Sequence, residues 1–131
     1  MEVAIDTNVL VRAAVCDDQA QARIAAQVLS AAELVAIPLP CLCEFVWVLL
    51  RVYRFQPEDV AAAIRALLGA ANVKVNRPAV DAGLAMLEAG GDFADGVIAY
   101  EGRWLGADTF VSFDKRVVAL LTTQGFSARL L

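Results

Sequence analysis

Five acidic side chains stand where a chain could use them for chemistry: Asp6, Glu44, Asp92, Asp95 and Asp114. Asp6 ends a short apolar run at residues 2–5, and Asp114 follows another at 109–113. In open α/β sheets ligands bind beyond the carboxyl ends of the strands. Acids at two such ends are therefore candidates for one site. Each is also a good helix N-cap, which is the simpler reading of either taken singly. Glu44 is the only charged residue between Leu34 and Leu50. An unpaired carboxylate in apolar company is costly, so it should be ion-paired, metal-bound, functional, or placed at an edge where it reaches solvent. Gly90 through Gly96 read Gly-Gly-Asp-Phe-Ala-Asp-Gly, with acids three residues apart at a helix start. Gly96 just inside that helix costs about 1 kcal/mol relative to alanine, which suggests that something approaches the backbone there.

Four or five carboxylates cannot share a pocket unneutralised, because like charges at short range repel. A hard divalent cation with oxygen ligands removes the conflict, and Mg²⁺ or Mn²⁺ fits. Such ions activate water for in-line attack on phosphate esters. The chain contains no histidine. That excludes Ser-His-Asp and Cys-His triads, imidazole bases and His-ligated metals, and it points away from zinc. The net charge is −4, from 15 acidic and 11 basic residues. This argues against a passive basic nucleic-acid binder. It leaves open an enzyme that meets phosphates through bound cations, which reverse the local sign.

The elements that must position these acids can be read from pattern and punctuation. Strands are predicted at residues 2–5, 34–37, 73–75, 109–113 and 126–130. Helices are predicted from Asp6-Thr7-Asn8, over 17–32, from Pro40 to about 54, from Pro57 to Gly69, from Pro78 to Gly90, from Asp92 toward Gly106, and from Asp114 to Gly125. The first strand reads as almost wholly buried. Ile24, Val28 and Leu29 read as the inner face of the second helix. Alternation of strand and helix means an α/β fold with a parallel sheet of about five short strands and helices on both faces. At 131 residues and 14.0 kDa the chain reads as a single domain, 1–131. It is long enough to bury a core without disulfides or a structural metal. Apolar residues make up 60%, more than one small core needs, and the surplus points to a homodimer. Cys16, Cys41 and Cys43 lack redox or zinc spacing and read as free thiols, two of them buried in one helix. No signal peptide or membrane span is apparent, which implies a cytoplasmic protein with no membrane partner.

Four motifs in order carry a resemblance: Ile5-Asp6-Thr7-Asn8-Val9-Leu10, the lone Glu44, Asp92-Phe93-Ala94-Asp95-Gly96-Val97-Ile98-Ala99, and Ser112-Phe113-Asp114-Lys115. Together they resemble PIN-domain ribonucleases, in particular the VapC-type toxins of type II toxin–antitoxin pairs. The resemblance implies a PIN-like α/β/α sandwich, a Mg²⁺-dependent (or Mn²⁺-dependent) endoribonuclease acting on RNA, a homodimer, and a cognate VapB-like antitoxin that blocks the site. It places Asp6, Glu44, Asp95 and Asp114 as the four catalytic, metal-binding acids. Asp6, Asp95 and Asp114 would hold the cation, and Glu44 would complete the shell or orient water. Asp92, Thr7, Asn8 and Ser112 would support them, Ser112 keeping the hydroxyl of a usual threonine.

Arg12, Arg51, Lys115 and Arg116 are candidates for the RNA backbone, or ordinary solvated charges. Trp47, Tyr53, Phe55 and Trp104 can stack bases, though packing is the simpler reading. The apolar helices at 40–54 and 57–69 suit a groove wall for an amphipathic partner helix. The competing class is a catalytically silent PIN-like interaction module, with the acids as caps that do not converge, any metal incidental, and Glu44 paired to an arginine. A phosphoaspartyl phosphatase would need Asp where Asn8 stands. A receiver domain would need two adjacent acids after the first strand.

Overall fold

Seven helices and five strands alternate along the chain, and every strand pairing is parallel. The computed structural model describes residues 1–131. The chain divides into two compact units, Met1–Asn76 and Arg77–Leu131. No helix is long and apolar enough to cross a membrane.

The first unit runs β1 (Glu2–Ala4), α1 (Thr7–Val15), α2 (Gln19–Ala31), β2 (Leu34–Ala36), α3 (Leu39–Arg51), α4 (Pro57–Leu68) and β3 (Val73–Lys74). Its ladder has the order β1-β2-β3, with Val3 opposite Val35 and Val35 opposite Val73. Asp6 and Asp18 start α1 and α2 by accepting backbone N–H groups of Val9 at 3.2 Å and Gln21 at 3.0 Å. Pro40 and Pro57 stand in the first turns of α3 and α4, where a missing N–H costs nothing. α1 stops at Cys16, whose φ of +59° is left-handed. Val35, Leu49, Val60 and Ile64 are fully buried and form the centre of this unit's core with Leu10, Leu42 and Phe45.

The second unit runs α5 (Arg77–Glu88), α6 (Phe93–Trp104), β4 (Phe110–Ser112), α7 (Lys115–Thr123) and β5 (Ala128–Leu130). β4 and β5 form a parallel pair with Ser112 opposite Leu130. Asp92 and Asp114 cap α6 and α7. Met86, Ala99 and Leu121 are the buried centre, ringed by Phe110, Val117, Leu120 and Phe126. α5 and α6 lie so close that a Cβ on Gly96 would strike the carbonyl of Ala82, and one on Gly83 would lie 2.6 Å from the Phe93 ring. The backbone approach suspected at Gly96 is therefore that of α5. It lets Phe93 bury completely at the root of the acidic helix start.

Several expectations change. β1 is not buried throughout: Glu2 and Ala4 are exposed and Val3 is intermediate, because β1 has a hydrogen-bonded neighbour on one side only. Full burial falls instead on Val35 of the central strand β2. Ile24 is not an inner-face residue; it is 60% exposed, and α2 buries the small Ala25. Trp47 and Trp104 are exposed, not core. Of the cysteines all are free, Cys41 is buried, Cys43 is intermediate and Cys16 is exposed.

Gly96→Ala adds a methyl group against immovable backbone. The helix-propensity gain of about 1 kcal/mol should be outweighed, with a net loss of about 2 kcal/mol or more from overpacking. Urea unfolding of the two proteins checks this; equal midpoints would refute it.

Candidate functional site

In the first unit the parallel pairing of β1 with β2 puts the segments that follow them at one edge of the ladder. Asp6 lies two residues beyond β1, and Glu44 lies in the second turn of the helix that follows β2. The Thr7 hydroxyl donates to Glu44 Oε1 at 3.2 Å, which joins the two segments across 37 positions of sequence. Cys41, buried one turn before Glu44, reports the same neighbourhood. Its thiol is pushed up by burial first and then by the fields of both Asp6 and Glu44, against a hydrogen bond from Thr7 that lowers it. Glu44 itself is exposed and forms no ion pair. Leu42, Phe45 and Val46 turn to the core, while the carboxylate, like Trp47, reaches solvent. The arginine partner required by the interaction-module reading is absent.

In the second unit Asp92 caps α6 by accepting the N–H of Ala94 at 3.1 Å. Asp95 is one turn on, at the third helical position, and is half-buried. Its carboxyl is held above the usual carboxylate range by desolvation first, then by the charges of Asp92 and Asp114. Asp92 and Asp114 thus both bear on Asp95. Asp114 caps α7, its Oδ1 accepting from Arg116 N at 2.9 Å and Val117 N at 3.2 Å. Ser112 Oγ accepts the backbone N–H of Asp114 at 2.9 Å, so the hydroxyl sets the backbone on which the acid stands.

Donor chemistry in both units suits a hard cation. Asp6, Asp92 and Asp114 each give one carboxylate oxygen to a helix N-terminus and leave the other without a protein partner, and Glu44 does the same through Thr7. Asp95 has no cationic partner to offset its burial. The donors are all oxygens, as Mg²⁺ and Mn²⁺ prefer. Neither unit by itself brings three such side chains close enough to hold a metal ion.

The basic candidates divide. Arg51 and Lys115 are exposed and unpaired. Arg12 is instead engaged with Asp17 at 2.9 Å, while the Tyr53 hydroxyl donates to the other oxygen of Asp17 at 2.9 Å. Asp17 is lowered by the Tyr53 hydrogen bond first, then by Arg12. Nothing in sequence links residues 12, 17 and 53, because the contact joins the loop after α1 to the turn after α3. Arg116 is also occupied: its guanidinium donates to the carbonyl of Gly90 at 2.5 Å. Gly90 has φ +89°, so the turn it makes excludes other residues sterically. Arg116 thus fastens the turn before Asp92 to the start of the helix that Asp114 caps. From sequence Arg116 is an RNA-backbone candidate or an ordinary solvated charge; the fold uses it on the Gly90 carbonyl.

The family described as PIN domain matches this chain over residues 3–120, which takes in all five acids. No match was found among curated proteins.

Two outcomes follow from the second unit. A carboxyl whose folded pKa is raised binds its proton more tightly folded than unfolded. Ionised Asp95 therefore lowers stability at neutral pH, and the penalty disappears as pH falls through the raised value to the ordinary one. Asp95→Asn should raise the melting temperature by a few degrees at neutral pH, with the gain vanishing below about pH 4. A pH series of melting curves tests it. Arg116→Ala should cost about 1 kcal/mol and speed amide exchange at Gly90 and Gly91 while leaving the first unit's exchange unchanged.

Proposed function

The chain belongs to the PIN-domain family, whose members are in general metal-dependent nucleases that bind RNA, and from that premise we propose that it is a Mg²⁺-dependent endoribonuclease, the toxin of a type II toxin–antitoxin pair. Residues 1–131 act as a single PIN-like domain in this reading, since the family match runs across the boundary between the two units. Asp6, Glu44, Asp95 and Asp114 together hold the cation, with Mn²⁺ as a substitute. When bound, the ion lowers the pKa of an attacking water and stabilises charge on the phosphate oxygens.

The observation that carries this reading is the set of uncompensated carboxylates, with Asp95 the clearest: half-buried, raised by two other acids, and met by no lysine or arginine. A chain that used these acids only as caps would have no need for Asp95, which caps nothing. Thr7 orients Glu44, Ser112 orients Asp114 through its backbone, and Asp92 adds charge beside Asp95. Asn8 stands beside the first acid. Exposed Arg51 and Lys115 meet the RNA backbone, whose phosphates are the sequence-independent part of the contact.

An antitoxin of VapB type is the proposed partner. An apolar pocket of about 320 Å³ in the first unit, lined by Leu10, Leu29, Phe45, Phe55 and Leu67 among others, supports it as a seat for one face of an amphipathic helix. A basic side chain from that partner would then stand in for the cation at the carboxylates. Homodimerisation is supported by exposed Trp104, Leu105, Val111 and Phe113. A cytoplasmic setting agrees with three free cysteines. The unpaired Glu44 goes against the silent-module alternative, while the capping of α1, α6 and α7 by Asp6, Asp92 and Asp114 suits either reading.

Asp6→Asn keeps the shape of the cap and removes one ligand charge. RNA cleavage with Mg²⁺ should fall by orders of magnitude while the melting temperature holds or rises, and EDTA should abolish cleavage by the parent. Equal rates for variant and parent, or activity that survives EDTA, would refute the mechanism.

A further inference from the structure

The first unit also has a cleft between α1 and α2 that begins at Asp6. It has a volume of about 390 Å³, within the range of small-molecule sites. α1 and its N-cap supply Asp6, Asn8, Val9 and Arg12, and α2 supplies Gln21, Ile24 and Val28. Asp6 and Arg12 are six residues apart on one helix, about 9 Å along its axis. A metal-binding carboxylate thus lies at one end of the cleft and a guanidinium at the other.

We propose that this cleft is a nucleoside subsite, which receives the base of the RNA nucleotide next to the bond that is cut and reads it through the side-chain amides of Gln21 and Asn8. The proposal rests on the nuclease reading above and adds to it the determinant of base preference.

Chemistry favours that occupant. A carboxamide offers a donor and an acceptor side by side, the pattern of a base edge, and two carboxamides line this cleft. Neither is used within the fold: the Asn8 and Gln21 side chains are exposed and no hydrogen bond engages them, although the Gln21 backbone N–H serves the cap at Asp18. Ile24, Val9 and Val28 give apolar surface for a base plane. The 60% exposure of Ile24 on an otherwise ordinary helix is explained if a flat ligand covers it. Arg12 is held by Asp17, itself held by Tyr53, so the cation is fixed before a ligand arrives. Single-stranded RNA is read in this way, by bases splayed out of the stack and hydrogen-bonded at their edges. A partner helix would instead want a continuous apolar stripe, which the separate pocket around Phe45 and Leu67 supplies and this cleft does not.

Gln21→Leu is the decisive variant, because Gln21 is exposed and its replacement leaves the core untouched. Short single-stranded RNAs differing in the bases that flank the cut are digested with Mg²⁺ by parent and variant. The parent should prefer one base at one flanking position. The variant should lose about tenfold of that preference, with a fall in kcat/KM on the preferred RNA alone. Parallel NMR titrations with the four nucleoside 5′-monophosphates should shift the Asn8 and Gln21 side-chain amides of the parent. If the parent cleaves RNA and Gln21→Leu keeps its base preference, the subsite is overturned while the nuclease stands. If the parent cleaves nothing, the nuclease reading falls, and the titration decides the cleft by itself: shifted amides support a nucleoside site, unshifted amides overturn it. Variants that keep base preference but lose binding to a small protein encoded beside the gene would also overturn it, in favour of a protein partner.

Discussion

Carboxylates repel one another at short range, and no lysine or arginine side chain neutralises Asp6 or Glu44 in the first unit, or Asp92, Asp95 or Asp114 in the second. Helix N-termini hold three of them instead. Asp6, Asp92 and Asp114 each accept N–H groups of a first turn with one oxygen. There the helix dipole favours negative charge by about 0.3–1 kcal/mol apiece. A cap fixes the carboxylate's position and direction yet leaves its second oxygen free. Capping and metal binding, which compete as explanations of a single Asp in a sequence, are compatible at these positions. Glu44 stands in the second turn of α3 and Asp95 in the first turn of α6, and neither caps its helix. Glu44 is steadied by Thr7. Asp95 has only its two acidic neighbours and partial burial, and its carboxyl is held above its ordinary range.

The second unit shows what it takes to keep acids in such a place. α5 and α6 meet through Gly83 and Gly96, where any side chain would collide with a ring or with backbone. Glycine is a poor helix former, so its presence in both helices means that close approach outweighs local propensity. The approach seats Phe93 in the core immediately after the Asp92 cap. Arg116 then clamps the preceding turn by its carbonyl at Gly90. Its positive charge acts through position: it holds the backbone that carries acids, and it forms no ion pair with them.

In the first unit one helix serves two surfaces of opposite character. Asn8, Val9 and Arg12 of α1 line the polar cleft, while Leu10, Ala13 and Ala14 line the apolar pocket. Steps of three and four residues keep each set on its own side. α2 divides likewise, with Gln21, Ile24 and Val28 toward the cleft and Leu29 toward the pocket. A ligand with hydrogen-bonding edges and one with an apolar face are thereby offered separate places on the same pair of helices.

By itself the sequence determined the order of elements, their parallel pairing and the identity of the acids. Those features are local: a run of apolar residues makes a strand, an Asp or Pro opens a helix, a glycine closes one, and each signal sits within a few residues of its effect. The four motifs also carried the family. Tertiary structure alone decided the environment of each side chain, because burial and partnership depend on residues distant in the chain. Glu44 looks stranded among apolar neighbours, but the helix turns Leu42, Phe45 and Val46 inward and the carboxylate outward to Thr7. Ile24 fitted an inner stripe, but the smaller Ala25 takes the contact. Gly96 signalled a close approach, and only packing named α5 as what approaches. Arg12 and Arg116 looked equivalent to Arg51 and Lys115; contacts with Asp17 and with the Gly90 carbonyl set them apart. A one-dimensional pattern fixes which face a residue occupies only when the helix has a single buried face, and α1 and α2 have two lined surfaces each.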